Sequence, residues 1–315
     1  MKAIILNKAG AAENLEIIDT EKPILKATEV LVKNISLSIN PVDVKSRANE
    51  DILDWLFGKE RPVILGWDVS GIVTELGKEV TDFNIGDEVF GMVNFLGNGK
   101  AYAEYIASPQ EHLALKPKNI SHEAAAASTL TAITAYQALV DVAKIKKGDR
   151  VLIHAASGGV GHFAVQIAKS FGAYVIGTSS GKNKAFVLSL GSDEHIDYTQ
   201  EKFEEKIKDI DIVIDTIGGE TLSKSIQVTK NQGTIVTLPS HEFSDEQKLK
   251  AIQKNISLQF LMVQSKKETI SEIAKMLENK TILPHIHKIF SFDEMAKAHQ
   301  EVESNHVVGK VVVNV

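Results

Sequence analysis

Two short stretches carry residues whose types and spacing suit a phosphate-rich ligand. The first is Ala155-Ala156-Ser157-Gly158-Gly159-Val160-Gly161, in which Gly158 and Gly161 take the second and third places of G-x-G-x-x-G and Ala156 the first. Small residues there let the backbone approach a pyrophosphate, and the free N–H groups of a following helix face its charge. Ser157, Gly158, Gly159 and Val160 are therefore expected at the cofactor. The second stretch is Thr178-Ser179-Ser180-Gly181-Lys182-Asn183-Lys184. It lies about twenty residues past the glycines, where a fold that binds NAD usually presents Asp or Glu to the ribose 2′-hydroxyl. Hydroxyls and lysines in that place suit a 2′-phosphate, so NADPH is expected over NADH.

The elements that position these turns follow from hydrophobic periodicity. Val151-Leu152-Ile153 reads as a buried parallel strand. Phe163, Ala164, Ile167, Ala168 and Phe171 then recur at helical spacing until Gly172 closes the helix. From about His122 onward helix and strand alternate. An alanine-rich helix over Ser128–Val142 is followed by strands at Ala173–Thr178, Asp211–Asp215, Gly233–Leu238 and Ile256–Val263, with a crossover helix at Glu220–Lys230. This alternation predicts an α/β fold with a doubly wound parallel sheet, a Rossmann arrangement. Up to about Lys118 the pattern is different. Short strand-like runs at Lys2–Leu6, Glu16–Asp19, Glu29–Ile39, Asp68–Leu76, Glu88–Val93, Ala101–Ala107 and Leu113–Leu115 predict a mostly antiparallel, barrel-like domain, with one helix at Val42–Phe57. The last stretch returns to β character at Ile286–Phe290 and Val307–Val315. Its helix over Phe292–Ser304 opens on Ser291 with Glu294 three residues on.

Composition narrows the function. The 315 residues are enough for two cores, and a net charge of −6 without a basic run argues against nucleic-acid binding. The chain has no cysteine, which excludes disulfides, thiolate metal sites and thiol nucleophiles. Met1–Leu6 turns polar at Asn7, too early for a secretory segment, so a cytoplasmic setting is expected. His154 and His162 read as structural, and His285 with His287 lacks a third ligand for a metal.

Several motifs in one order carry a family resemblance. They are Asn40-Pro41-Val42-Asp43-Val44-Lys45, Gly66-Trp67-Asp68-Val69-Ser70-Gly71-Ile72-Val73, Gly86-Asp87-Glu88-Val89-Phe90-Gly91, Ala132-Ile133-Thr134-Ala135-Tyr136, the glycine turn, and the closing Glu303–Val313. Together they resemble the zinc-independent medium-chain dehydrogenase/reductase superfamily, and within it the quinone oxidoreductases and alkenal/enone oxidoreductases. The resemblance spans nearly the whole chain. It implies a GroES-like domain over 1–122 and 266–315, rejoined by the C-terminus, and an NADPH-binding Rossmann domain over 123–265. The zinc-dependent branch binds its metal through a Cys, a His in a G-H-E segment and usually another Cys. The corresponding places here read Asn40 and Gly66-Trp67-Asp68, so no metal is expected.

The resemblance also implies roles for single residues. Ser180, Lys182 and Tyr198 would meet the 2′-phosphate, with Lys184 competing for the place of Lys182, and Ser179, at the carboxyl end of the preceding strand, is expected at the cofactor. Leu238 would line the cofactor, Asn40 would face its nicotinamide half, and Thr134 and Asn305 would contact it. Lys45 is the catalytic candidate, placed to hydrogen-bond the nicotinamide ribose or to donate to the substrate carbonyl as negative charge develops there. The implied reaction passes a hydride from NADPH to a quinone, or to the C=C of an α,β-unsaturated carbonyl, without a metal. A 2-enoyl-thioester reductase is a second reading, disfavoured because Arg47–Pro62 holds no tyrosine to act as proton donor. A non-catalytic NADPH-binding sensor or structural protein is a third. A homodimer joined at the strand Ile256–Val263 is expected, with a small-molecule substrate and neither nucleic acid nor membrane as partner.

Overall fold

The alternating run Glu29–Ile39 builds the longest strand of the chain, and most of the first unit is arranged on it. The computed structural model describes all 315 residues. Strands β1 (Lys2–Leu6), β2 (Leu15–Asp19), β3 (Glu29–Ile39), β4 (Val63–Ile64), β5 (Asp68–Leu76), β6 (Glu88–Met92), β7 (Tyr105–Pro109) and β8 (Leu113–Leu115) come first. Six more follow: β9 (Arg150–Ile153), β10 (Tyr174–Ser179), β11 (Glu194–Asp197), β12 (Ile210–Asp215), β13 (Thr229–Thr237) and β14 (Ser257–Phe260). β15 (Ile286–Ser291) and β16 (Lys310–Asn314) close the chain. By contact density the chain divides into Met1–Ile133 with Val263–Val315, and Thr134–Met262.

In the first unit β3 pairs antiparallel with β5, β7 and β16, while β15 joins β16 in parallel. The C-terminal strand thus completes a sheet begun near the N-terminus. The register sets Ser38 opposite Asp68 and Ile39 opposite Val311, which gathers the ends of three strands from distant parts of the sequence. Side chains from β1, β3, β5, β6 and β16, such as Ile4, Val32, Leu37, Val69, Val89 and Val313, form one buried core.

Three expectations change here. The helix expected over Val42–Phe57 is two helices, Pro41–Ala48 and Glu50–Phe57, because Asn49 takes an extended backbone and its side chain caps the second. The strand expected at Ala101–Ala107 begins only at Tyr105. The carbonyls of Ala101 and Ala103 accept instead from the Asn34 side-chain amide. The helix His122–Ala127, expected with the second domain, packs on β3 and β5 of the first unit.

In the second unit all pairings are parallel and the strand order is β11-β10-β9-β12-β13-β14. In local numbering this is 3-2-1-4-5-6, the doubly wound order of dinucleotide-binding folds. The expected Ser128–Val142 helix is an α-helix over Leu130–Tyr136 that widens into a π-helical turn over Gln137–Val142. Leu152, Ile176, Val213, Ile226 and Ile235 build this unit's own core. No helix in the chain is long and apolar enough to cross a membrane.

Candidate functional site

The glycine turn joins β9 to the helix Gly159–Ser170. A Cβ on Gly161 would lie 2.2 Å from the Ala155 carbonyl oxygen and 2.7 Å from the Ala156 Cα, so only glycine allows helix and strand to approach this closely. Gly158 is the N-cap, and the first N–H groups after it have no partner within the helix. That leaves donors for an anion at the carboxyl end of β9, where such sheets bind ligands.

The neighbouring turn is built from side chains that hold one another. β10 and β11 pair so that Ser179 faces Asp197, which brings Ser180 beside Tyr198. The Ser179 hydroxyl is buried against His195 Nε2 at 2.8 Å and donates to the Ser180 carbonyl. Ser180, Lys182 and Tyr198 have no protein partner for their side-chain polar groups, and Tyr198 is 63% exposed. Burial holds the His195 pKa down, and exposed Lys184 nearby adds to the effect. Sequence reasoning missed two members of this cluster. Asn183 donates to the Ser157 hydroxyl at 3.1 Å and so ties the two turns together. Asp197 lies under Gly181, and its pKa is lowered by hydrogen bonds from the Thr199 hydroxyl and N–H and from the Gly181 N–H. An acid is thus present beside the turn, two residues past His195 and outside the place where spacing looks for one.

At the carboxyl end of β12, buried Asp215 accepts the N–H groups of Ile217 and Gly218 and the Thr237 hydroxyl. Half-buried Leu238 follows β13, its N–H bonded to the Asp215 carbonyl. His154 is buried between the hydroxyls of Thr178 at 3.1 Å and Ser225 at 2.9 Å. Burial pushes its pKa down to about 4, which keeps it neutral and structural. Of the expected cofactor residues, Ser157 to Val160, Ser179, Ser180, Lys182, Tyr198 and Leu238 therefore lie at the carboxyl ends of β9, β10, β11 and β13. Thr134, the first residue of the second unit, is buried in the helix Leu130–Tyr136.

Asn40, Lys45 and Asn305 belong to the first unit. Asn305 is exposed in the turn after the helix Met295–Glu303, with φ 57° and its amide on the Glu303 carbonyl. Lys45 projects into solvent from the helix Pro41–Ala48 without a protein partner for its ammonium. Asn40, fully buried, stands at the other extreme. Its Nδ2 donates to Asp68 Oδ2 at 2.8 Å, and its Oδ1 accepts from the Lys310 ammonium. Lys310 also donates to the Ile39 carbonyl at 3.0 Å and pairs with Asp68 at 3.7 Å. Asp68 Oδ1 accepts the Leu130 N–H. Asp43, on the same helix as Lys45, accepts the Asn40 N–H, and burial with the nearby Asp68 charge pushes its pKa up to about 7. Next to it lies Tyr102, whose hydroxyl meets His299 Nε2 at 2.9 Å. One buried carboxylate, Asp68, thus pairs with the buried ammonium, and Asp43 lies close enough to feel both charges. Nothing in the sequence pattern pointed to Lys310.

The comparisons with known proteins agree with this architecture. The family model described as alcohol dehydrogenase GroES-like domain matches residues 26–118, and that of zinc-binding dehydrogenase matches residues 190–313. The chain is 32% identical to the mouse NAD(P)H oxidoreductase RTN4IP1, mitochondrial, over all of this chain and 89% of that protein. It is 32% identical to the Arabidopsis thaliana NADPH-dependent alkenal/one oxidoreductase, chloroplastic, over 99% of this chain and 79% of that protein. Among solved structures, the quinone oxidoreductase from Coxiella burnetii superposes with a TM-score of 0.93 at 36% identity, covering 100% of this chain and 99% of that one.

The second family model implies a zinc ion, which can be tested on the donors. The places that match the Cys and the His of the G-H-E segment hold Asn40 and Trp67, an ammonium lies against Asn40, and no cysteine is available. A cation in direct contact with Asn40 repels a second one, a carboxamide is a poor zinc donor, and an indole is none. These residues do not fit zinc. Motif order, the 3-2-1-4-5-6 sheet, the discontinuous barrel unit and full-length relatives lead to one assignment: the chain belongs to the medium-chain dehydrogenase/reductase superfamily, with the quinone and alkenal/one oxidoreductases.

Proposed function

We propose that this protein is an NADPH-dependent, zinc-independent reductase that passes a hydride to a quinone or to the C=C of an α,β-unsaturated carbonyl. The observation that carries the reading is the turn of Ser180, Lys182 and Tyr198. It offers two hydroxyls and a lysine, none engaged with protein, beside the glycine turn. A 2′-phosphate supplies acceptors for all three. The acid under the turn, Asp197, has its oxygens occupied by Thr199 and the Gly181 N–H.

In this reading Ser157, Gly158, Gly159 and Val160 hold the pyrophosphate, Leu238, Thr134 and Asn305 line the cofactor, and Asn40 serves its nicotinamide half. NADPH supplies the hydride. Such acceptors are already activated, so the protein's work is to orient them and to stabilise the enolate or hydroquinone oxyanion that forms. The Lys45 ammonium is the proposed donor to that oxyanion. A cytoplasmic setting and a homodimer complete the proposal, with β14, an edge strand of the parallel sheet, as the joining strand.

The test follows the hydride. NADPH deuterated at nicotinamide C4, in each configuration separately, is turned over with an enone and the product examined by mass spectrometry. One label configuration should place deuterium on the β-carbon. Turnover without label on that carbon from either configuration would contradict the reading.

A further inference from the structure

The ends of β3, β5 and β16 bring a lysine against Asn40, which stands where the zinc-dependent branch has a metal-binding Cys. The register that sets Ile39 opposite Val311 puts Lys310 beside Asn40, and the one that sets Ser38 opposite Asp68 puts Asp68 on its other side. All three side chains are enclosed: Asn40 is 0% exposed, Asp68 1% and Lys310 2%. A buried ammonium is stable only when its hydrogens find acceptors, and here the Ile39 carbonyl and Asn40 Oδ1 take two, with Asp68 Oδ2 alongside.

The consequence falls on Asn40. A carboxamide has an accepting end and a donating end, and its neighbours decide which way round it sits. An ammonium can only donate and the ionised form of Asp68 can only accept, so Lys310 and Asp68 allow one orientation. Oδ1 must point to Lys310 and Nδ2 to Asp68. We propose that Lys310 is a positioning residue: its ammonium is the built-in cation of this site and fixes the Asn40 carboxamide in the orientation that serves the nicotinamide half of the cofactor. This rests on the cofactor role proposed above for Asn40.

Lys310→Met and Lys310→Gln test it together. Both remove the charge and leave Asp68 equally uncompensated, but glutamine keeps an N–H donor for Asn40 Oδ1. The readouts are NADPH affinity by fluorescence, kcat and KM with a quinone, and the thermal midpoint. Lys310→Met should lose about tenfold or more in kcat/KM, while Lys310→Gln recovers to within about threefold of wild type at a similar thermal midpoint. In an Asn40→Ala background, the exchange of Lys310 for Met should cost no further activity, because the residue through which it acts is gone.

Equal losses in the two variants would overturn the proposal, since charge alone would then matter. So would a Met effect that persists at full size without Asn40, or wild-type kinetics in a folded Lys310→Met protein. Failure of both variants to fold would assign Lys310 to the fold and overturn it as well. A wild-type protein that neither binds nor oxidises NADPH would overturn the functional reading, and this inference with it.

Discussion

Lys182 and Tyr198 reach solvent with no protein partner, whereas Ser179 between the same strands is locked onto His195. The difference separates side chains that await a ligand from one that shapes the turn. If the 2′-phosphate is Lys182's partner, Lys182→Ala weakens NADPH binding about tenfold, equivalent to about 1.4 kcal/mol, and leaves NADH binding unchanged. Fluorescence titration with both nucleotides checks this, and the same loss in Lys184→Ala instead would move the role to Lys184. For Lys45, replacement by Met should lower kcat about tenfold or more with unchanged NADPH affinity, as expected of a group that acts on charge formed in the transition state. Both candidates were legible because a local motif surrounds them. Lys310 was not, because its meaning comes from strand pairing with residues far away in sequence. Asp197 was missed for the opposite reason: it stands in a short strand whose pattern says nothing about which way its carboxylate turns.

Among the elements, the glycine turn is the most exposed to single changes. Gly161→Ala would drive a methyl group into the backbone at Ala155 and Ala156, which cannot move without shifting β9. A destabilisation of about 2–4 kcal/mol follows, visible as a lower thermal midpoint. At Gly158 the nearest atom to a new Cβ is the Ala155 oxygen at 3.2 Å, so Gly158→Ala should fold nearly normally and lose mainly nucleotide affinity. Thermal scans of the two variants, with and without NADPH, distinguish these outcomes. The strand–turn–helix order here was readable because β-branched runs, small residues and helical spacing all agree. The break at Asn49 and the π-helical end of the Leu130–Tyr136 helix were not. Each depends on local hydrogen bonding that leaves the apolar pattern intact.

For the molecule as a whole, buried titratable groups such as His154, His299 and Asp43 shape how stability responds to pH. His154 and His299 have pKa values of about 4 and about 3 because burial disfavours their charged forms. The unfolded chain therefore takes up these protons first as pH drops below about 6.5, and stability falls with acidification. Asp43 acts in the opposite sense. Its pKa is raised to about 7, so the stability of its protonated form is full below about 4 and is lost as pH rises through 7. Asp43→Asn removes only the second contribution. Relative to wild type, its thermal midpoint should rise between pH 5 and pH 8 and fall more steeply on acidification from pH 6.5 to pH 4.5. Parallel curves for the two proteins would show that Asp43 keeps an ordinary pKa.

The two-unit plan itself was legible, since the change from short antiparallel runs to helix and strand alternation marks it. The helix His122–Ala127 lay beyond that pattern, because its apolar alanines suit either unit and only packing on β3 and β5 decides. The decisive experiment is initial rates of NADPH and NADH oxidation with a quinone, an enone and a simple aldehyde, in the presence of a chelator. An NADPH-dependent, zinc-independent reductase gives fast NADPH turnover with the quinone or the enone, slow NADH turnover, none with the aldehyde, and no effect of chelation. Equal use of NADH, or reduction of the aldehyde abolished by the chelator, would contradict it.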